Sequence, residues 1–341
     1  MFQEIVINSH HERLRYLVFL HNLMNFNNSL YKDCDEIYCS IIENKINSIS
    51  EPYLDSALKK LTIEGDTHID TQGVYCAFHF GCYRLISRYL HSKGVKHTII
   101  LNIRDKDEEF KFSEIIQKAN RGTNIVDYVN IVRRRDIIKL KRHLSEGRNL
   151  LIYADANLSA FDSDNNSAAT ISFMNKNINV AKGVWYFSNK FRLPIYPIIS
   201  LRDQEKNILR FENELKPSDS CIDTLQKIWK LLECFIIKYP KQWEGWLFAN
   251  NLNSNIQTTT NTYSKREYYK FNNKRYNFLN YPIDTFSLYD VTNNEIIRLN
   301  HSLYQIILKI SQKKISIKHN VFVEILPENI FINLISRQVF I

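Results

Sequence analysis

The strongest constraint on the fold is the regular alternation of short apolar runs and helix-like segments between residues 71 and 251. Val74–Phe78 and Asn149–Tyr153 are mostly apolar runs of strand length, whereas Asp136–Leu144 has its apolar residues at helical spacing. Apolar strands that alternate with amphipathic helices indicate a sheet covered by helices. The sequence therefore predicts an α/β fold with a mixed central sheet flanked by helices.

Two changes in this pattern divide the chain. Residues 1–70 are polar and helical in pattern, which predicts an N-terminal helical segment. Residues 252–275 are rich in Asn, Thr, Ser and Lys and predict a linker. The linker separates the α/β domain, 71–251, from residues 276–341, where a hairpin pattern precedes helical segments. We therefore expect a small C-terminal α+β unit.

The basic balance of the chain restricts its partners. A net charge of +9 favours anionic partners such as acyl carrier proteins, coenzyme A, anionic membranes or nucleic acid. No nucleic-acid-binding motif accompanies the charge, so we expect no nucleic acid. The six cysteines show neither a CxxC pair nor a zinc-binding spacing, and we expect no metal and no bound cofactor. Without a signal-peptide pattern or an apolar stretch of membrane length, we expect a cytoplasmic protein, with peripheral membrane contact left open.

His79 is the leading catalytic candidate. It follows the apolar run Val74–Phe78 and precedes Phe80-Gly81, where a helix is expected to begin. Acyl transfer from a thioester to a hydroxyl or amine requires a base for the acceptor's proton and donors for the oxyanion. A histidine held at a strand end beside free backbone N–H groups supplies both. The alternative is a structural histidine at a strand end.

Four stretches between about 70 and 251 resemble the lipid A late acyltransferases, a branch of the lysophospholipid-acyltransferase superfamily. They occur in the family's order: a His-Phe-Gly block, a helix followed by a Gly, an apolar strand and an acid-bearing loop, a region beside the acyl chain, and a Pro-x-Gln-Trp ending. In this sequence they are His79–Arg84, Arg135–Asp155, Ile171–Gly183 and Tyr239–Trp246. The resemblance implies the family's α/β fold, with His79 as general base and an acyl carrier protein or coenzyme A as donor.

Arg84 departs from the family pattern, because the family has an acid there that orients the histidine. Arginine cannot accept a hydrogen bond from imidazole, and its charge lowers the basicity of a nearby histidine. The aspartates that remain available are Asp155 and, in the loop that follows, Asp162 and Asp164. Asp155 is our candidate for the orienting group, the alternative being a solvated loop residue.

Further candidates concern the substrates. Cys82 is a candidate nucleophile that would accept the acyl group covalently, or else a small buried side chain. We expect Gly81 to bind substrate through its backbone and Gly183 to lie beside the acyl chain. We expect Arg84 to bind an anionic part of the donor or acceptor. We expect the same of the cluster Arg133, Arg134 and Arg135, for which a solvated basic face is the alternative.

Residues 276–341 resemble the small, winged-helix-like peptide-recognition domain of pyrroloquinoline quinone biosynthesis. The strand-strand-helix-helix order and Leu299–Ser302 carry this resemblance. It implies that a peptide binds by adding a strand to a sheet edge; a dimerisation or lid module is the alternative. We predict an acyltransferase acting on a peptide, a specialised metabolite or a lipid acceptor. The alternative function is a degenerate acyltransferase fold that binds a carrier protein or peptide.

Overall fold

The structure is a computed structural model. It describes residues 10–103, 105–120, 122–132, 136–156, 167–203, 206–252, 266–279, 286–290, 292 and 295–341. The chain divides into two compact units: one comprises residues 15–254, and the other is formed mainly by residues 255–341. Each unit is considered by itself below.

The strands and helices of the first part of the chain alternate, as expected for an α/β fold. The strands are β1 (Leu61–Glu64), β2 (Val74–Ala77), β3 (His97–Leu101), β4 (Val126–Asn130), β5 (Asn149–Tyr153), β6 (Ala168–Phe173), β7 (Lys176–Ala181), β8 (Ile195–Asp203) and β9 (Lys206–Phe211). The helices are α1 (His10–Asn27), α2 (Cys34–Ser50), α3 (Asp55–Lys59), α4 (Leu85–Ser92), α5 (Lys106–Asn120), α6 (Asp136–Ser145), α7 (Gly183–Phe191) and α8 (Cys221–Lys238).

Among the described residues, seven strands form one mixed sheet in the order β1-β9-β8-β2-β5-β3-β4. Strands β8, β2, β5, β3 and β4 are mutually parallel, β9 is antiparallel to β8, and β1 is parallel to β9. All four residues of β2 are buried, as in parallel strands covered on both faces. The predicted α/β class, with a mixed central sheet flanked by helices, is confirmed.

The register of β2 and β5 fixes the position of the predicted site. These neighbouring strands run parallel, and Ala77 pairs with Tyr153 at their carboxyl ends. His79 lies two residues beyond Ala77, and Asp155 lies two residues beyond Tyr153. Because parallel strands end at the same edge of a sheet, the register brings these two residues side by side.

The N-terminal segment differs from the expectation of helix through residue 70. Residues 61–64 form β1, an edge strand that pairs with β9 and adds to the central sheet. Its residues alternate between half-buried and exposed, as expected when one face of an edge strand packs on the core. Four residues of strand are too short for their period to be distinguished from a helix end.

The C-terminal unit contains two small sheets and three helices within its described residues. The strands are β10 (Tyr268–Tyr269), β11 (Tyr276–Leu279), β12 (Ser287–Asp290), β13 (Glu295–Arg298) and β14 (Ile317–Lys318), and the helices are α9 (His301–Lys313), α10 (His319–Ile325) and α11 (Glu328–Ser336). The predicted hairpin is present, since β12 and β13 are antiparallel neighbours. Asn300 caps α9, and its side chain accepts a hydrogen bond from the Leu303 N–H at 2.8 Å.

The C-terminal unit also begins earlier than residue 276, where the sequence placed its start. Tyr269 is 1% exposed and packs in the core of this unit, against Phe322 and Phe331. Of the predicted linker 252–275, residues 253–265 lie outside the described residues. The short strand Tyr268–Tyr269 lies in a polar stretch and has no recognisable strand pattern. The predicted linker therefore extends into residues that belong to the C-terminal unit.

None of the helices in the described ranges combines the length and the apolar composition that crossing a membrane requires.

Candidate active site

His79 and Asp155 form a hydrogen-bonded pair at the carboxyl ends of β2 and β5. The distance from His79 Nδ1 to Asp155 Oδ1 is 2.9 Å. The Asp155 side chain is fully buried, whereas that of His79 is 23% exposed. The aspartate named from the sequence as a possible orienting group is therefore in contact with the histidine, although the two are 76 residues apart.

Asp155 is held by two further groups. The backbone N–H of His79 donates to its carboxylate, at 3.0 Å from Oδ1 and 3.1 Å from Oδ2. The indole N–H of Trp243 donates to Oδ2 at 2.9 Å. A buried carboxylate is stable when donors satisfy its oxygens, and these three donors keep Asp155 in one orientation toward the imidazole.

The segment that carries Trp243 pairs directly with the segment that carries His79. Phe80 and Trp243 form an antiparallel β-bridge, the Gly81 N–H donates to the Gln242 carbonyl at 2.9 Å, and the Glu244 N–H donates to the His79 carbonyl at 2.9 Å. The turn after β2 is thus fixed by the chain beyond α8, and both segments contribute side chains to the same site.

Aromatic rings surround the imidazole. The ring centroids of Tyr83, Tyr153 and Phe248 lie 4.9, 5.0 and 6.4 Å from that of His79. The Tyr153 hydroxyl donates to the Tyr83 carbonyl at 3.3 Å, which ties two of these rings together. Rings on several sides limit rotation of the imidazole, while part of its surface stays exposed to the cavity.

The pKa of His79 is raised above its ordinary value by Asp155. Burial by itself lowers this pKa, but the charge of Asp155 and the hydrogen bond to it act in the opposite direction, with a further contribution from Glu244. Arg84 lowers the pKa. The imidazolium form is therefore stabilised, as required of a base that holds a proton during a reaction.

A cavity of about 660 Å³ opens beside His79. This volume is in the range of small-molecule sites. One part of its wall is apolar and is supplied by α2, β3, α5 and the residues that follow β3. The apolar residues include Ile49, Ile99, Leu101, Ile103, Phe112 and Ile116. The wall also carries charged side chains, those of Lys45, Arg84, Lys111 and Glu244 among them.

Arg84 lines the cavity with His79. Its Nε donates to the Tyr83 hydroxyl at 3.2 Å, and its guanidinium lies 5.6 Å from the Tyr83 ring centroid. Burial lowers the pKa of Arg84, but the Tyr83 hydroxyl and Glu244 outweigh this effect and raise it, so the group stays cationic. The predicted binding of an anionic group by Arg84 is compatible with this position.

The structure does not support Cys82 as a nucleophile. Its side chain is fully buried, and Sγ donates to the Leu201 carbonyl at 3.3 Å. Burial raises the pKa of the Cys82 thiol to about 12, so the reactive thiolate does not form near neutral pH. The sequence predicts that a helix begins at Phe80-Gly81, but α4 begins only at Leu85. The turn between them directs the Cys82 side chain into the core.

The predicted glycine contacts are not found at the cavity. The Gly81 N–H is already bonded to Gln242, and neither Gly81 nor Gly183 lines the cavity. Gly81 has a φ of +55°, and a Cβ atom there would lie 2.4 Å from the Ser200 carbonyl oxygen. Its role is conformational. Gly183 is the first residue of α7.

The predicted cluster Arg133–Arg135 lies outside the described residues.

Sequence reasoning missed two residues of this site, Trp243 and Glu244. Trp243 packs against Phe173, with ring centroids 5.8 Å apart, and it also donates to Asp155. The indole N–H of a buried tryptophan usually has a hydrogen-bond acceptor, and this rule could have indicated a polar contact for Trp243. Glu244 between two buried tryptophans was a second signal, because an acid in an apolar run is seldom buried without function.

No model of a known protein family matches this chain, and no curated protein sequence matches it either. Within the described ranges, no group of three or more His, Cys, Asp or Glu side chains is arranged to hold a metal ion. The case for a function therefore depends on the geometry of the site.

Proposed function

We propose that the protein is an acyltransferase that moves an acyl group from an acyl carrier protein or coenzyme A thioester to an amine or hydroxyl. The single observation that carries this proposal is the contact of 2.9 Å between His79 Nδ1 and Asp155 Oδ1 beside a cavity with an apolar wall. The sequence resemblance to the lipid A late acyltransferases supports it, with Asp155 in place of the family's acid.

The pair fixes which nitrogen of His79 acts as the base. Asp155 accepts the Nδ1 proton, which leaves Nε2 with the lone pair. Nε2 takes the proton from the acceptor's hydroxyl or amine as its oxygen or nitrogen attacks the thioester carbon. The same proton then passes to the departing thiolate as the C–S bond breaks, so that the base is restored.

Different residues of the cavity wall bind the acyl chain and stabilise negative charge. The apolar side chains of α5 and β3 take the acyl chain and keep water from the thioester. The Arg84 guanidinium stabilises the oxyanion or an anionic group of the donor, because the Gly81 N–H is already engaged by Gln242. The C-terminal unit, with its predicted likeness to a peptide-recognition domain, is the candidate binding region for a peptide acceptor.

The test is thiol release from acyl coenzyme A and acyl carrier protein, with intact-mass detection of acylated acceptors. His79→Asn keeps a polar side chain but removes the base, and we expect a loss of about 10²–10⁴-fold in rate. His68→Asn is the matched control, since His68 is half-buried in the same unit as His79 and does not line the cavity. Equal activity of the wild type and His79→Asn would contradict the proposal.

A further inference from the structure

Glu244 is a buried carboxylate without a hydrogen-bond partner for Oε1 in the candidate site. The residue is 6% exposed, and its Oε1 accepts no hydrogen bond from any described residue. Its backbone N–H donates to the His79 carbonyl at 2.9 Å, and it lines the same cavity as His79. A buried oxygen without a donor carries a desolvation penalty that a ligand's donor would remove.

The surroundings make Glu244 a better proton acceptor than an ordinary glutamate. Burial raises its pKa, while His79, Lys45 and Arg84 act in the opposite direction without reversing the shift. Neither cation donates to Oε1. The carboxylate is therefore available to a group that enters the cavity.

The number of bases in the site bears on the class of acceptor. A primary amine is an ammonium ion near neutral pH and must lose two protons to become an amide, one before its nitrogen attacks and one afterwards. A hydroxyl acceptor loses only one. The site contains two proton acceptors in different surroundings, His79 paired with Asp155 and Glu244 with an unpartnered oxygen.

We propose that the acceptor is a primary amine whose ammonium group is bound by Glu244; this rests on the acyl transfer proposed above. Glu244 accepts the first proton and later releases it to solvent. The free amine attacks the thioester carbon, and a C–N bond forms. His79 takes the second proton and gives it to the thiolate as the C–S bond breaks, which leaves an amide and a free thiol.

The test measures binding without any thioester, by isothermal titration of octylamine and 1-octanol into the 341-residue chain at pH 7. We expect the wild type to bind octylamine at least about tenfold more tightly than 1-octanol, since hydrogen bonds to charged groups are the stronger ones. Glu244→Gln should weaken octylamine binding roughly 10- to 100-fold and leave 1-octanol binding unchanged. The control Glu43→Gln changes an exposed carboxylate on α2 and should change neither.

Equal affinity of the wild type for the two probes would overturn the inference, and this comparison needs no variant to fold. An octylamine preference that persists in folded Glu244→Gln would overturn it as well. The proposed function fails separately: amine binding that depends on Glu244, without thiol release from any donor, would reject acyl transfer alone. Acylation of alcohols but not of amines would reject the amine acceptor alone.

Discussion

At the scale of single residues, the site depends on one carboxylate that reaches His79 from a neighbouring strand. Asp155 fixes the tautomer of the imidazole and stabilises its cation, which are the two effects that an acid in the position of Arg84 would have had. Arg84 is then free of that task and adds a positive charge to the cavity. The contact that the resemblance predicted at position 84 is therefore made by a carboxylate from a neighbouring strand.

Asp155→Asn should alter both the rate of acyl transfer and its pH dependence. The base acts in its neutral form, and Asp155 raises the pKa of His79, so the rate of the wild type should rise through an apparent pKa above the ordinary value of about 6.5. Without the carboxylate, burial lowers that pKa and the rising limb should move to lower pH. We expect kcat/KM to fall about 10²–10⁴-fold, as measured in pH-rate profiles.

The matched control is Asp70→Asn, which neutralises an exposed carboxylate and should leave the profile unchanged. An unchanged pH limb in Asp155→Asn would show that this carboxylate does not tune the histidine.

Trp243→Phe should destabilise the protein by about 1–3 kcal/mol, because it keeps a ring in the core but removes a donor to the buried Asp155. Urea unfolding measures this change. In the control Trp185→Phe, the lost bond is to the Ser218 carbonyl at a half-buried position where water can replace it, so the loss should be smaller. Equal decreases in the free energy of unfolding of the two variants would mean that the hydrogen bond to Asp155 stabilises the protein no more than the bond to Ser218.

At the scale of elements, the turn between β2 and α4 is the most constrained part of the site. Gly81 has a left-handed φ, and the space where a Cβ would lie is occupied by the backbone of β8, so both conformation and contact require glycine. The turn also bonds to Gln242 beyond α8. Its shape decides that His79 faces the cavity while Cys82 faces the core.

Gly81→Ala should therefore destabilise the protein by more than the left-handed strain of about 1–2 kcal/mol, because the new Cβ meets the Ser200 carbonyl as well. Gly147→Ala is a matched control with a φ of +73° and no neighbour within 4 Å, so only the strain applies. Denaturant midpoints of the two variants make the comparison, and equal shifts would contradict the steric argument.

The sequence predicted those elements whose pattern is local, and it failed where a contact is between distant segments. The buried strands β2 and β5, the β12–β13 hairpin and the Asn300 cap each have a local signal of apolar residues, turn residues or capping residues. The contact between Trp243 and Asp155 has none, because it joins residues 88 apart. Asp155 is the candidate orienting group among three available aspartates, but its contact with His79 depends on the parallel pairing of β2 with β5, which has no local signal in the sequence.

At the scale of the whole molecule, two separate clusters of buried residues stabilise the two units. The cluster around β2 and α4 includes Leu85, Leu151 and Ile198, and the C-terminal cluster includes Leu288 and Ile307. Among the described residues, none belongs to both of these clusters. We therefore expect the two units to unfold as separate cooperative units.

Leu288→Ala should destabilise the C-terminal unit by about 2–5 kcal/mol and leave the unit of residues 15–254 unaffected, because Leu288 is fully buried in the C-terminal cluster. Hydrogen exchange followed by mass spectrometry would show lost protection throughout the described elements of the C-terminal unit and unchanged protection in the central sheet. Leu151→Ala is the reciprocal variant and should affect the central sheet alone. Loss of protection in both units from either variant would contradict two separate units.

The pairing of the turn after β2 with the chain beyond α8 also has a consequence for biosynthesis. His79 is made first, its carboxylate partner follows 76 residues later, and the indole that holds that partner follows after another 88. A nascent chain that still lacks Trp243 has the carboxylate's contacts to His79 but not its contact to an indole N–H. The full set of donors around Asp155 therefore forms only after Trp243 has been synthesised.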